Sequence, residues 1–121
     1  MQKKSQRQLQ IGEQIKRIVA DTFARENFST ISGNFITILE ADVSPDIKNC
    51  VIFINIFGNE KKNDEILQKL NGAAGFFRRE IGKKITFRNN PEIVFKLDRS
   101  AKNAVDIEDL IHKESQKFPK E

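Results

Sequence analysis

Apolar positions recur three and four apart over residues 5–25, where Ile11, Ile15, Ile18, Val19, Thr22 and Phe23 fall on one stripe. That spacing predicts an amphipathic helix, with Arg7, Lys16, Arg17 and Arg25 mostly off the stripe. Ser, Gly and Asn in "NFSTISGN" break the pattern. The period then shortens to two. "FITILEADV" (35–43) and "KNCVIFINIF" (48–57) are rich in branched residues and read as strands. Ser44, Pro45 and Asp46 join them; Pro presets φ and Asp bonds back to the backbone, so the short connection predicts an antiparallel hairpin. In the second strand Cys50, Ile52, Ile54 and Ile56 share the face better suited to the core. Val51, Phe53, Asn55 and Phe57 share the other.

The polar run "GNEKKND" is a loop in which Asn63 is placed to cap the next helix. That helix carries Ile66, Leu67 and Leu70, meets Gly72–Gly75, and resumes as "FFRREIGKK" with Phe76, Phe77 and Ile81. Asn-Asn-Pro at 89–91 rules out a helix there. Alternating Ile93, Phe95 and Leu97 predict a third strand over 92–98. Ser100 then caps a last helix carrying Val105, Ile107, Leu110 and Ile111, and the polar "KESQKFPKE" is expected to fray. The order is α-β-β-α-α-β-α, with no repeat or linker, so residues 1–121 form a single domain. This is an α+β fold: a three-stranded sheet covered by helices on one face, with Phe53 and Phe57 on the open face in need of cover or a partner.

Composition narrows the chemistry. Lys plus Arg is 21 against 17 for Asp plus Glu, a net charge of +4 that permits a polyanionic partner without requiring one. Cys50 is the only cysteine, which excludes an internal disulfide, and its apolar surroundings make it a small core residue. Trp and Tyr are absent and Phe numbers 10, so aromatic packing falls to side chains without a polar handle. The polar start "MQKKSQRQLQ" does not resemble a signal peptide, and no apolar run is long enough to span a bilayer; a cytoplasmic location is expected. His112 and Cys50 cannot make a zinc site alone, and there is no phosphate-binding Gly-Lys-Ser/Thr loop. Glu40 and Asp42 share a strand face and could hold a hard cation, as a nuclease would need; the plainer alternative is an exposed acidic strand face.

The stretch "NGAAGFFRREIGKKITFR" carries the most information. A helix joint of Gly and Ala allows a phosphate backbone to approach closely, because no bulky side chain intervenes. The segment that follows begins with amide groups and a positive dipole end that favour anions. Arg78, Arg79, Lys83, Lys84 and Arg88 surround it, with Glu80 the one acid among them. Arg7, Lys16 and Arg17 are secondary candidates; a solvated helix face explains them as well.

These residues resemble a known family. The order α-β-β-α-α-β is that of the type II KH domain. The hairpin "ITILEADVSPDIKNCVIFINIFG" and the run "LNGAAGFFRREIGKKITFRNNPEIVFKLD" resemble the bacterial ribosome-binding factor A family over about residues 8–112. In that family an Ala-x-Gly kink replaces the Gly-x-x-Gly loop of other KH domains. Ala73, Ala74 and Gly75 supply the kink here, but Gly72–Gly75 also reads Gly-x-x-Gly, so a tight kink and a KH-type loop both fit. The resemblance implies a non-catalytic, cofactor-free monomer that binds the immature 30S subunit and 16S ribosomal RNA. It also implies support for 5′-end maturation, particularly in the cold, alongside assembly GTPases. Its RNA contacts would be Ala73, Ala74, Gly75, Arg78, Arg79, Lys83, Lys84 and Arg88. On this reading, reversing the charge of Arg78 and Arg79 weakens binding and leaves stability near wild type. A protein-interaction module using the open sheet face is the alternative.

Overall fold

The computed structural model describes residues 4–86 and 90–98. Helix α1 (Gln6–Arg25) opens the chain. A capping box starts it: Ser5 accepts from the Gln8 amide at 3.0 Å, and the Ser5 amide donates to Gln8 Oε1 at 2.9 Å. Asn27 ends it in the left-handed region (φ 59°), and Phe28 donates back to the Phe23 carbonyl at 2.9 Å. The Phe23 and Phe28 rings then meet at 5.6 Å, the apolar contact that accompanies such a helix end.

Strands β1 (Thr30–Ile31), β2 (Asn34–Val43) and β3 (Asn49–Phe57) follow, and β4 (Glu92–Leu97) completes a sheet ordered β1-β2-β3-β4. The sheet therefore has four strands rather than the three expected. The extra one lies inside "NFSTISGN": Ser32 (φ 52°) and Gly33 (φ 81°) both take positive φ and turn Thr30–Ile31 onto Phe35 and Asn34. Two residues are too few to show alternation, so the pattern hides this strand. The β2–β3 hairpin is antiparallel as expected, and β4 joins β3 in parallel after a crossover through two helices.

A bulge between Ile38 and Glu40 shifts the β2 register. It lets Ile36 and Val43 both face the core although they are an odd number of positions apart in the sequence, and it leaves Glu40 and Asp42 on the open face. Cys50, Ile52, Ile54 and Ile56 are buried, as their alternation predicts. They pack with Ile15, Val19 and Phe23 of α1 and with residues of the two later helices. Each fully buried side chain of this size contributes about 1.5–3 kcal/mol.

The later helices are α2 (Asn63–Gly72) and α3 (Ala74–Lys84), reached through a 3-10 turn (Glu60–Lys62). Asn63 does not cap α2. It is the first helical residue, and the capping side chain is Asn59, which accepts from the Lys61 amide at 3.0 Å at the head of the 3-10 turn. The turn starts the helical path three residues earlier than the apolar spacing suggests. The last predicted helix, from Ser100 through Val105, Ile107, Leu110 and Ile111, lies outside the described residues.

Candidate nucleic-acid interface

Two hydrogen-bonded clamps fix the helix joint against the edge of β4. Before the joint, Asn71 donates from Nδ2 to the Phe95 carbonyl at 3.2 Å and accepts from the Phe95 amide at 2.8 Å. After it, Arg78 donates from Nε to the Pro91 carbonyl at 3.0 Å and from Nη2 to the Asn90 carbonyl at 2.8 Å. Asn90 returns a bond from Nδ2 to the Arg78 carbonyl at 3.1 Å. Phe77 of α3 lies between, buried against Phe23 and Phe95 with ring centroids 5.5 and 5.2 Å away.

The break itself is one residue. Ala73 (φ −96°, ψ 9°) closes α2 and opens α3. Its amide donates to Leu70 at 3.0 Å and to Lys69 at 3.2 Å, and its carbonyl accepts from Phe76 at 3.0 Å and Phe77 at 3.2 Å. Gly72 is helical and neither Gly72 nor Gly75 has positive φ, so the segment is a tight kink and not a KH-type loop. No side chain caps α3. A methyl group built on Gly72 would meet nothing within 4 Å, and on Gly75 only the Arg79 guanidinium, at 3.9 Å. The joint is thus bare, with a cation beside it. A spacing of four along α3 puts Gly75, Arg79 and Lys83 in one row.

The basic residues differ in what they are free to do. Arg79 and Lys84 are exposed and have no hydrogen-bond or ion-pair partner among the described residues. Lys83 donates to Glu80 Oε2 at 3.1 Å, and Arg25 approaches Glu80 Oε1 at 3.3 Å. The Lys83 hydrogen bond, supported by Arg25, holds the Glu80 carboxyl below the usual range, so one negative charge sits between two cations. Arg78 is tied to the Asn90 and Pro91 carbonyls and lies 3.5 Å from Glu92. Its reversal would break the clamp, which overturns the expectation that stability stays near wild type. Arg88 lies outside the described residues.

The secondary candidates are not brought to the joint. Gln8 Nε2 bonds the Val43 carbonyl at 2.9 Å, so the start of α1 crosses β2, while Phe23 near its end meets α3. Arg7 therefore lies about 27 Å along the helix from Arg25 at 1.5 Å per residue. Arg7 and Arg17 are exposed and Lys16 half-buried. Arg25, in contrast, reaches the α3 surface, although its place off the α1 stripe gave no sign of a partner 55 positions away. Glu40 and Asp42 do share a face, but the Lys4 ammonium occupies it, bonded to Asp42 and 3.9 Å from Glu40. Among the described residues no three His, Cys, Asp or Glu side chains form a metal-holding group.

Comparison with known proteins identifies the family. The family model for ribosome-binding factor A matches residues 7–111. A ribosome-binding factor A of Clostridium botulinum (strain Okra) is 32% identical over 102 residues, covering 84% of this chain and 85% of the relative. The crystal structure of ribosome-binding factor A from Thermus thermophilus superposes with a TM-score of 0.61 at 19% identity, over 74% of this chain and 94% of that one. Coordinates of the Thermus thermophilus factor fitted into a cryo-EM map of its 30S complex give 0.57 at 20% identity, over 74% and 92%. At these identities the structures speak to the fold alone, an α+β sheet backed by helices. The family match spans nearly all of the chain, and on it the chain belongs to the ribosome-binding factor A family.

Proposed function

We propose that this protein is a non-catalytic assembly factor that binds the immature 30S subunit through 16S ribosomal RNA. The bare joint at Ala73–Gly75, with Arg79 beside it and Lys83 and Lys84 following, is the observation that carries the reading. It is a surface where a phosphate backbone can come close to amides and cations together. Arg79 and Lys84 make the phosphate contacts, Lys83 shares its charge with Glu80, and Arg78 holds the surface in place. The protein supports late maturation, including the 5′ end of 16S RNA and growth in the cold, as a cytoplasmic monomer acting beside assembly GTPases. Preference for one arrangement of the RNA over the mature one gives transient binding without chemistry. Co-sedimentation with isolated subunits across a salt series tests this. Binding to the small subunit should fall steeply with salt, and Arg79→Ala and Lys84→Ala should each weaken it and flatten the log–log slope by roughly 0.7–0.9. Salt-insensitive binding, or full binding by the folded double variant, would move the contact away from α3 and towards the sheet face.

A further inference from the structure

Glu80 is the one acid inside the basic run of α3, and it lies beneath the two cations that contact it. Its side chain is 10% exposed, whereas those of Arg25 and Lys83 are 50% and 67% exposed. Each carboxylate oxygen faces one of them: Oε1 is 3.3 Å from Arg25 Nη2 and Oε2 is 3.1 Å from Lys83 Nζ. Two cations drawn onto two oxygens of one anion is also the arrangement that holds a phosphate group. We propose that Arg25 and Lys83 form a phosphate seat for RNA whose inner side Glu80 fills, and that Glu80 thereby limits the affinity. This rests on the reading of α3 as the RNA contact, and adds to it a residue of α1 and a reason for easy release.

The seat is built by tertiary packing. Phe23 and Phe28 lie on either side of Arg25 in the chain, and their rings stand 5.5 and 5.1 Å from that of Phe77. The end of α1 is therefore fixed against α3, and Lys83 joins Arg25 to the row that begins at Gly75 and Arg79. Access is from outside only. A phosphate meets the two exposed cations from the solvent side, while Glu80 stays behind them and, with its carboxyl held below the usual range, stays charged at neutral pH. Glu26 also reaches Arg25, at 3.4 Å, but it is 44% exposed and turns to water at little cost.

The sign of the effect follows from distance. A phosphate on the outer side stands roughly 6 Å from the Glu80 carboxylate, two contacts of about 3 Å in line. Repulsion over that distance weakens binding roughly threefold even at the dielectric of bulk water, and more at that of a protein surface. Glu80 also orders the two cations, which favours binding. Gln at this position keeps one acceptor, however, and Arg25 keeps its 3.3 Å contact with Thr22, so the charge decides.

Co-sedimentation with isolated small subunits across a salt series tests this, at a temperature where every variant is folded. Glu80→Gln should bind about three- to tenfold tighter at low salt, with a log–log slope steeper by roughly 0.7–0.9. Arg25→Ala should weaken binding and flatten the slope. Glu26→Gln makes the same change in net charge without altering the anion between the cations, and should gain much less. Unchanged or weaker binding by folded Glu80→Gln would overturn the proposal, making Glu80 a support for Lys83 and not its competitor. An equal gain in Glu26→Gln would overturn it in favour of net charge alone. Full binding by Arg25→Ala would remove the seat whether or not Glu80→Gln folds. Arg79→Ala separates the two levels: if it loses affinity while Glu80→Gln and Arg25→Ala do nothing, only the seat fails. If all three are silent, α3 is not the RNA site and both readings fall.

Discussion

Arg78 and Arg79 are adjacent, equally charged and within the same basic run, yet the structure gives them different work. Replacing Arg78 by Ala removes two hydrogen bonds from a charged donor to the Asn90 and Pro91 carbonyls. Bonds of this kind are each worth about 1.5–3 kcal/mol. The side chain is 35% exposed, so water recovers part of the loss and the lower end applies. Its ion pair with Glu92, itself 71% exposed, adds at most about 1 kcal/mol. The expected destabilisation is therefore about 3–4 kcal/mol, or a fall in Tm of roughly 12–16 °C. Arg79→Ala should stay within about 0.5 kcal/mol, as other exposed positions do. Urea titration followed by far-UV circular dichroism gives both values, and m should not change. Arg78→Lys sharpens the test. It keeps the charge but not the planar fork that serves two carbonyls, so it should recover less than half of the loss. Equal stabilities for the two alanine variants, or full rescue by Lys, would refute the clamp. The same proteins in the subunit assay should show the reverse ranking at a temperature where all are folded, with Arg79→Ala losing salt-sensitive affinity and Arg78→Ala retaining most of it.

Glu80→Gln should change the acid limb of stability: the folded carboxyl titrates below its ordinary value of about 4.3. Its contribution is complete above that pH and is lost as pH falls through the lowered value, so the gap between wild type and variant should close on acidification. Burial pushes the Cys50 thiol up to about 12, so a thiol reagent at pH 8 should label it only on unfolding; rapid native labelling would contradict its position in the core. Gly12→Ala should destabilise by about 1–3 kcal/mol, because the added methyl would lie 2.7 Å from the Ala41 carbonyl oxygen, a backbone atom. Gly72→Ala, with nothing within 4 Å, should instead stabilise by about 0.4–1 kcal/mol, and a melting curve for each distinguishes the two.

The parts of the fold visible in the sequence are those with a long period. The α1 stripe, the alternation of β3 and the Ile93-Phe95-Leu97 strand all stand as read, because burial on one face imposes a regular spacing. Features set by a single backbone conformation are harder to see. The two-residue β1 rests on Ser32 and Gly33 at positive φ, for which the Ser-Gly dipeptide is the only sign. The β2 bulge leaves no sign at all. At the site, the composition of Ala73–Gly75 identified the joint, but Gly-x-x-Gly could not distinguish a kink from a loop until φ was known. A charge run does not say which cation is already engaged. The partners of Arg78 come from residues 90–92, and Arg25, besides its local contacts with Thr22 and Glu26, reaches Glu80 of α3; these distant contacts are made by tertiary structure with no local pattern.

Asn71 has a consequence of another kind. Among the described residues β4 is the last strand of the sheet, so its outer side is a row of peptide groups of the kind that can template a strand from a neighbouring molecule. The Asn71 carboxamide presents one acceptor and one donor to Phe95, imitating a single residue of such a strand in the middle of the row. It blocks edge-to-edge growth with a side chain too short to be extended into a ladder. The same bonds that hold the joint in place thus occupy the peptide groups of Phe95 that an incoming strand would need.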